Sequence, residues 1–124
     1  MYRGLLVFIG GGIGAVFRYL LAGWIYEVVG TDFPYGTLVV NVIGCFVIGL
    51  FMTIAEDRFL ISPSLRILVA VGIIGGFTTF STFNFETLEL LKDGTVVLAM
   101  LNIGASIVLG LSAAWIGSIV GRAI

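Results

Sequence analysis

The chain has 124 residues, enough for one domain, yet 60% of them are hydrophobic and the mean hydropathy is +1.21, well beyond the roughly 45–50% apolar content of soluble domains. Six basic and seven acidic residues, for a net charge of −1, cannot cover a water-exposed surface and leave no footprint for nucleic acid. There is no histidine, and Cys45 stands alone in an apolar run, which excludes an internal disulfide, a zinc or iron centre and a hydrolytic triad, so the chain reads as an integral membrane protein and not as an enzyme.

Four segments are long enough to cross ~30 Å of hydrocarbon, which takes about 20 helical residues. The first runs from Gly4 to Tyr26. Its opening, MYRGLLVFIGGGIGA, has the basic start and apolar core of a signal peptide, but the apolar character continues past any cleavage site and three similar segments follow. A first transmembrane helix is therefore the better reading. Arg18 lies inside it, where a guanidinium is expensive. It is read as a group snorkelling to the near interface, as an anion-attracting group at a pore mouth, or as half of an ion pair.

The connection YEVVGTDFPYG, with Pro34 and Gly36, leads to the second span, Thr37 to Ala55. Asn41 stands in this span, and an amide there needs hydrogen-bond partners, either as helix–helix glue or as a pore-lining donor. After EDRFLISPSLR comes the third span, Ile67 to Leu91. The very short KDG then leads to the fourth, Thr95 to Val120. Asn102, like Asn41, is read as glue or as a pore-lining donor; it and Ser106 are four apart in the fourth span, with Gly110 continuing the face, which makes a short polar stripe expected to line the pore. Short connections between antiparallel helices give an all-α, up-down arrangement in one membrane domain over residues 1–124. Continuous apolar runs do not fit a β-barrel.

The third span is the irregular one. GGFTTFSTFNFE, from Gly75 to Glu86, places adjacent glycines and four hydroxyls at membrane depth. Gly75 and Gly76 weaken the helix, and Thr78, Thr79, Ser81 and Thr82 can satisfy backbone groups freed where it breaks and restarts. The stretch predicts a broken third helix. The alternative is a continuous helix whose hydroxyls bond back to the preceding turn. Phe80 and Phe83, three apart, share a face, and ring edges are positive enough to attract an anion without holding it.

Small residues four apart at Gly10 and Gly14, Gly72 and Gly76, Ser106 and Gly110, and Gly117 and Gly121 let helix backbones approach closely in lipid. Four such helices make a thin bundle, and self-association, most simply as a two-fold homodimer, is expected to bury the small faces. Arg3, Arg58, Arg66 and Arg122 lie near one side and Lys92 near the other, a weak bias toward termini in the cytoplasm. No carboxylate lies centrally in the first, second or fourth span. Glu86 and Glu89 sit late in the third, so a titrating group for proton coupling is missing and a passive pathway is favoured. Glu86 is a candidate pore-end group and Glu89 a solvated helix end.

Three stretches together, GGGIGAVFRY (10–19), GTLVVNVIG (36–44) and GGFTTFSTF (75–83), resemble the Fluc (CrcB) fluoride channels in order, in place among four spans and in chain length. The resemblance implies an antiparallel, dual-topology homodimer with two pores that passively exports fluoride across the cytoplasmic (inner) membrane and rejects chloride, with no protein substrate. It implies that Phe80 and Phe83 line the pores, that Asn41 is the amide beside them, that Thr37 and Ser81 are nearby hydroxyls, and that Arg18 is a vestibule base. It also implies that the backbone carbonyls of Gly75 and Thr78 from each subunit hold a structural sodium ion at the dyad. One departure stands out: family members often carry a longer hydroxyl track along the fourth helix, starting at a tyrosine, where this chain has Asn102, Ser106, Gly110 and Ala114. The rival readings are a small multidrug transporter, which would use an acid in its first helix, and a non-conducting assembly subunit.

Overall fold

A computed structural model describes residues 1–58 and 61–124. Among these the chain is helical with no strand, and four spans are long and apolar enough to cross a membrane. Helix α1 covers Tyr2–Val29 and α2 covers Tyr35–Arg58. The third span, Pro63–Lys92, is in two pieces, α3 at 63–77 and α4 at Phe80–Lys92, and α5 covers Val96–Ala123. Residues 59 and 60, part of the connection EDRFLISPSLR, lie outside the described residues.

Local chemistry sets the ends. Gly30, at a left-handed φ of 98°, closes α1 by donating its N–H to the Tyr26 carbonyl at 2.9 Å. Ser62 caps α3 by accepting the Leu65 N–H at 3.2 Å, with Pro63 in the first position, where its missing N–H costs nothing. In the KDG turn Gly94 takes a φ of 80°, and Thr95 donates both its N–H (2.9 Å) and its hydroxyl (2.7 Å) to the Leu90 carbonyl.

The helices pair through missing side chains. A methyl on Gly10 would stand 2.5 Å from the Leu68 carbonyl oxygen and 2.9 Å from Gly72 Cα, and one on Gly76 would stand 2.5 Å from the Gly11 oxygen. So α1 and α3 touch backbone to backbone, which is how small residues hold helices where lipid supplies no hydrophobic drive. Along Ile67–Ile74 the inner part of α3 is wound as a π-helix, and the Gly75 N–H that follows reaches back five residues to the Ala70 carbonyl. On the other side α2 and α5 meet at Gly49, Gly117 and Gly121: methyls on the last two would stand 3.0 Å from the Leu50 amide nitrogen and carbonyl oxygen, respectively. The Thr53 hydroxyl donates to Ser118 Oγ at 3.1 Å across the same seam.

Of the small-residue pairs noted in the sequence, Gly10 and Gly14, Gly72 and Gly76, and Gly117 and Gly121 serve contacts inside one chain. Backbones approach this closely where no side chain intervenes, as at the glycine pairs 10/72 and 11/76, and Gly117 lets the Phe46 and Leu50 backbone approach in the same way. Little interior results, since the fully or nearly buried apolar side chains are Ile25, Val40, Ala55, Ile74 and Ala99.

Candidate functional site

The third span breaks at two residues. Thr78 (φ −82°, ψ 157°) and Thr79 (φ −147°, ψ 113°) are extended between the α3 and α4 helices. Extended backbone in an apolar bundle frees N–H and C=O groups, each costly unless paired. Asn41 on α2 answers Thr79 on both sides: its amide nitrogen donates to the Thr79 carbonyl at 3.0 Å, and its oxygen accepts the Thr79 N–H at 2.8 Å. Arg18 on α1 donates from Nη1 to the Gly76 carbonyl at 3.1 Å. Thr78 bonds back to the Ile74 carbonyl through its N–H (3.1 Å) and hydroxyl (3.2 Å). Thr79 caps α4 by accepting the Thr82 N–H at 3.3 Å and donates its hydroxyl to Thr82 Oγ1 at 3.0 Å.

Both readings of the hydroxyls thus hold in part. Back-bonding occurs at Thr78 as in a continuous helix, but the chain then breaks, and the next threonine restarts it. Among the described residues the carbonyls of Gly75 and Thr78 accept no backbone hydrogen bond, because their usual partners, the N–H groups of Thr79 and Thr82, go to Asn41 and to the Thr79 hydroxyl.

Two hollows flank the break. One, of about 360 Å³, is lined by Asn41, Cys45, Gly75, Thr78, Thr79 and Phe80 among others. The second, of about 480 Å³, brings together Arg18, Tyr26, Thr37, Thr79, Thr82 and Glu86. In the second hollow Glu86 accepts from Tyr26 Oη at 2.8 Å and from the Thr37 hydroxyl, while the Thr37 N–H donates to Tyr26 Oη at 3.3 Å. Three helices are tied by one carboxylate.

Phe80 and Phe83 share a face of α4, with ring centroids 6.0 Å apart and planes at 36°. Phe80 is 77% exposed on the single chain. Ser81 is exposed and lines neither hollow. Asn102 is 1% exposed, between α5 and α4, where its amide donates to Thr87 Oγ1 at 2.9 Å, and Thr87 in turn donates to the Phe83 carbonyl at 2.8 Å. One turn further, the Ser106 hydroxyl is buried with no partner among the described residues. Asn102 thus faces α4, and neither Asn102 nor Ser106 lines either hollow, so the polar stripe is not brought to the break. Glu89 pairs with Lys92 at 3.2 Å, both well exposed, as a solvated helix end would.

Tyr26 and Thr87 were not singled out from the sequence for these roles, whereas Thr79 caps the restarted helix as its place after the glycines predicts. A tyrosine near the end of a span reads as an interfacial aromatic, and only the fold brings it 60 positions along the chain to Glu86. The chain has counterparts of similar length among known proteins. The profile described as CrcB-like protein, Camphor Resistance (CrcB), matches residues 5–118. The chain belongs to the CrcB family. Among CrcB relatives, it is 49% identical over 114 residues to the fluoride-specific ion channel FluC of Citrifermentans bemidjiense, covering 92% of each chain. It is 47% identical over 120 residues to the FluC of Acidobacterium capsulatum, covering 97% of this chain and 96% of the relative. With the FluC of Geobacter sulfurreducens it shares 49% over 118 residues, 95% of each chain. These CrcB relatives are named as ion channels and not as enzymes, and four membrane-spanning helices make this chain a multi-pass membrane protein.

Proposed function

We propose that the protein is a passive, fluoride-selective channel that lets fluoride leave the cytoplasm through the inner membrane. The observation that carries the reading is the break at Thr78 and Thr79, with Phe80 and Phe83 side by side beyond it, in a chain close to half identical to proteins named for fluoride conduction. Fluoride is small and strongly hydrated, so its path must replace water with donors, weak and several enough for the ion to move on. Arg18, Thr82 and the unspent second N–H of Asn41 are such donors around the break, Thr37 stands in the same hollow with its hydroxyl given to Glu86, the ring edges of Phe80 and Phe83 add weak positive potential, and Ser81 lies between those rings in sequence. Asn102 and Ser106 enter as a hydroxyl-and-amide stripe behind α4.

The working unit in this reading is an antiparallel, dual-topology homodimer with two pores. A phenylalanine 77% exposed next to a helix break is a natural group for a second copy to cover. At the dyad, the Gly75 and Thr78 carbonyls fit a structural sodium ion: their oxygens lack backbone partners, and two chains would offer four hard donors. Such an ion would neutralise converging carbonyl dipoles and fix two breaks against each other.

The deciding experiment is efflux from proteoliposomes loaded with fluoride or chloride, read with ion-specific electrodes under a potassium ionophore. Fast fluoride release with silent chloride is expected. Silence for both, from folded protein, would move the transporter and assembly-subunit readings ahead. Phe80→Ile and Phe83→Ile are expected to cut fluoride flux by at least about tenfold while leaving the assembled size unchanged on gel filtration, and unaltered flux would remove the rings from the path.

A further inference from the structure

The channel reading assigns Glu86 to the mouth of an anion path, and that creates a difficulty the structure resolves. An ionised carboxylate beside a donor-lined hollow accepts hydrogen bonds from the same groups an entering anion needs, here the Arg18 guanidinium and the hydroxyl of Thr82, whose own hydrogen is free because its oxygen accepts from Thr79. Its charge also repels the anion, and in the reduced dielectric near a protein wall that repulsion is several times stronger than in water.

Glu86 is not free to do this. One oxygen accepts the Thr37 hydroxyl and the other accepts Tyr26 Oη at 2.8 Å. Tyr26 Oη is itself aligned by the Thr37 N–H at 3.3 Å, so its own hydrogen is left for the carboxylate. The chain Thr37 N–H to Tyr26 Oη to Glu86 therefore runs in one direction. The same carboxylate also borders a further hollow of about 350 Å³ on its other side, lined by Asp32, Glu89 and Asp93 together with Thr31 and Thr95. Glu86 is the wall between a hollow rich in donors and one rich in carboxylates.

We propose that Tyr26 is a positioning residue that latches Glu86 to Thr37, keeping its carboxylate from competing with the permeating anion for the donors of the vestibule. The inference rests on the channel reading and adds to it a residue outside the motifs that carry the family resemblance. Tyr26 touches no ion in this scheme and acts only through Glu86. Released, the carboxylate would swing toward Arg18 and Thr82 and occupy the donors itself.

The test is a two-by-two cycle in proteoliposomes: the native chain, Tyr26→Phe, Glu86→Gln and the double variant, each read by initial fluoride efflux. Tyr26→Phe is expected to slow efflux about tenfold in the Glu86 background and less than about twofold when measured against Glu86→Gln alone, because an uncharged amide cannot capture the guanidinium as a carboxylate does. An equal loss in both backgrounds would make Tyr26 a packing residue and overturn the latch, as would no loss with Glu86 present. If Tyr26→Phe is not recovered folded, Thr37→Val replaces it in the same cycle, since it removes the donor to the other oxygen and keeps the volume. Its loss must likewise vanish in the Glu86→Gln background, or the latch is overturned. A native chain that moves no fluoride would instead refute the channel reading, and the two failures are distinguished by that control.

Discussion

The two halves of the third span solve the same problem in opposite ways. Residues 67–77 are apolar, partly π-wound and pressed bare against α1, so that position is held mainly by the shape of the backbone, with Arg18 bonded to its last turn. Phe80–Lys92 is polar on its inner side and held by named hydrogen bonds from Asn41, Tyr26, Thr37 and Asn102, at Thr79, Glu86 and Thr87. Close packing tolerates no added atom, whereas a hydrogen-bonded segment tolerates substitutions that keep volume but loses its aim when a partner goes. Rigidity therefore belongs to the first half and chemistry to the second.

The sharpest way to break this contrast is at the paired glycines. Gly76→Val drives a side chain into the Gly11 backbone, and the expected result is a loss of at least about 3 kcal/mol, seen as failure to recover a monodisperse peak. Its neighbour behaves differently: a Cβ on Gly75 meets only Ala70 O, at an ordinary 3.6 Å. Gly75→Val should leave the single chain folded, so a fall in assembled mass on gel filtration reads the proposed dyad and sodium site directly, and a normal dimer would count against them. In the polar half, Asn41→Leu removes two bonds to Thr79 at similar volume. It is expected to cost about 1–2 kcal/mol in thermal unfolding and most of the fluoride flux.

Smaller effects sharpen the boundary between the halves. Thr79→Val deletes the cap of α4 and should lower stability by about 1 kcal/mol. Ser106→Ala removes a buried hydroxyl with no partner and should be neutral or slightly stabilising, within about 0.5 kcal/mol, in the same unfolding assay. A clear destabilisation there would mean that the hydroxyl has a partner in the assembled protein.

The spans and the break were readable because both rest on composition along the chain. Runs of apolar residues mark lipid, and two glycines followed by Thr78 and Thr79 mark a helix that fails and restarts. The partners were not readable, for two reasons. Asn41 and Thr79 lie 38 positions apart and meet only when α2 lies across the break. The acceptor of Arg18 is a main-chain oxygen, that of Gly76, and a backbone atom leaves no mark in the sequence. Asn102 illustrates a further limit, since its spacing from Ser106 defines a stripe while its direction, toward Thr87, depends on where α4 sits.

Arg18 has a consequence for charge balance in the membrane. A guanidinium within an apolar helix would normally call for a carboxylate, yet the ion pair seen among the described residues, Lys92 with Glu89, involves other groups. The end of α3 supplies the missing counter-charge. A helix terminus of unpaired carbonyls carries roughly half a negative elementary charge, and Arg18 sits on it at the Gly76 oxygen. By ending a helix midway along its third span, the chain gains a negative pole that never titrates, and it can keep a permanent cation there without an ion pair.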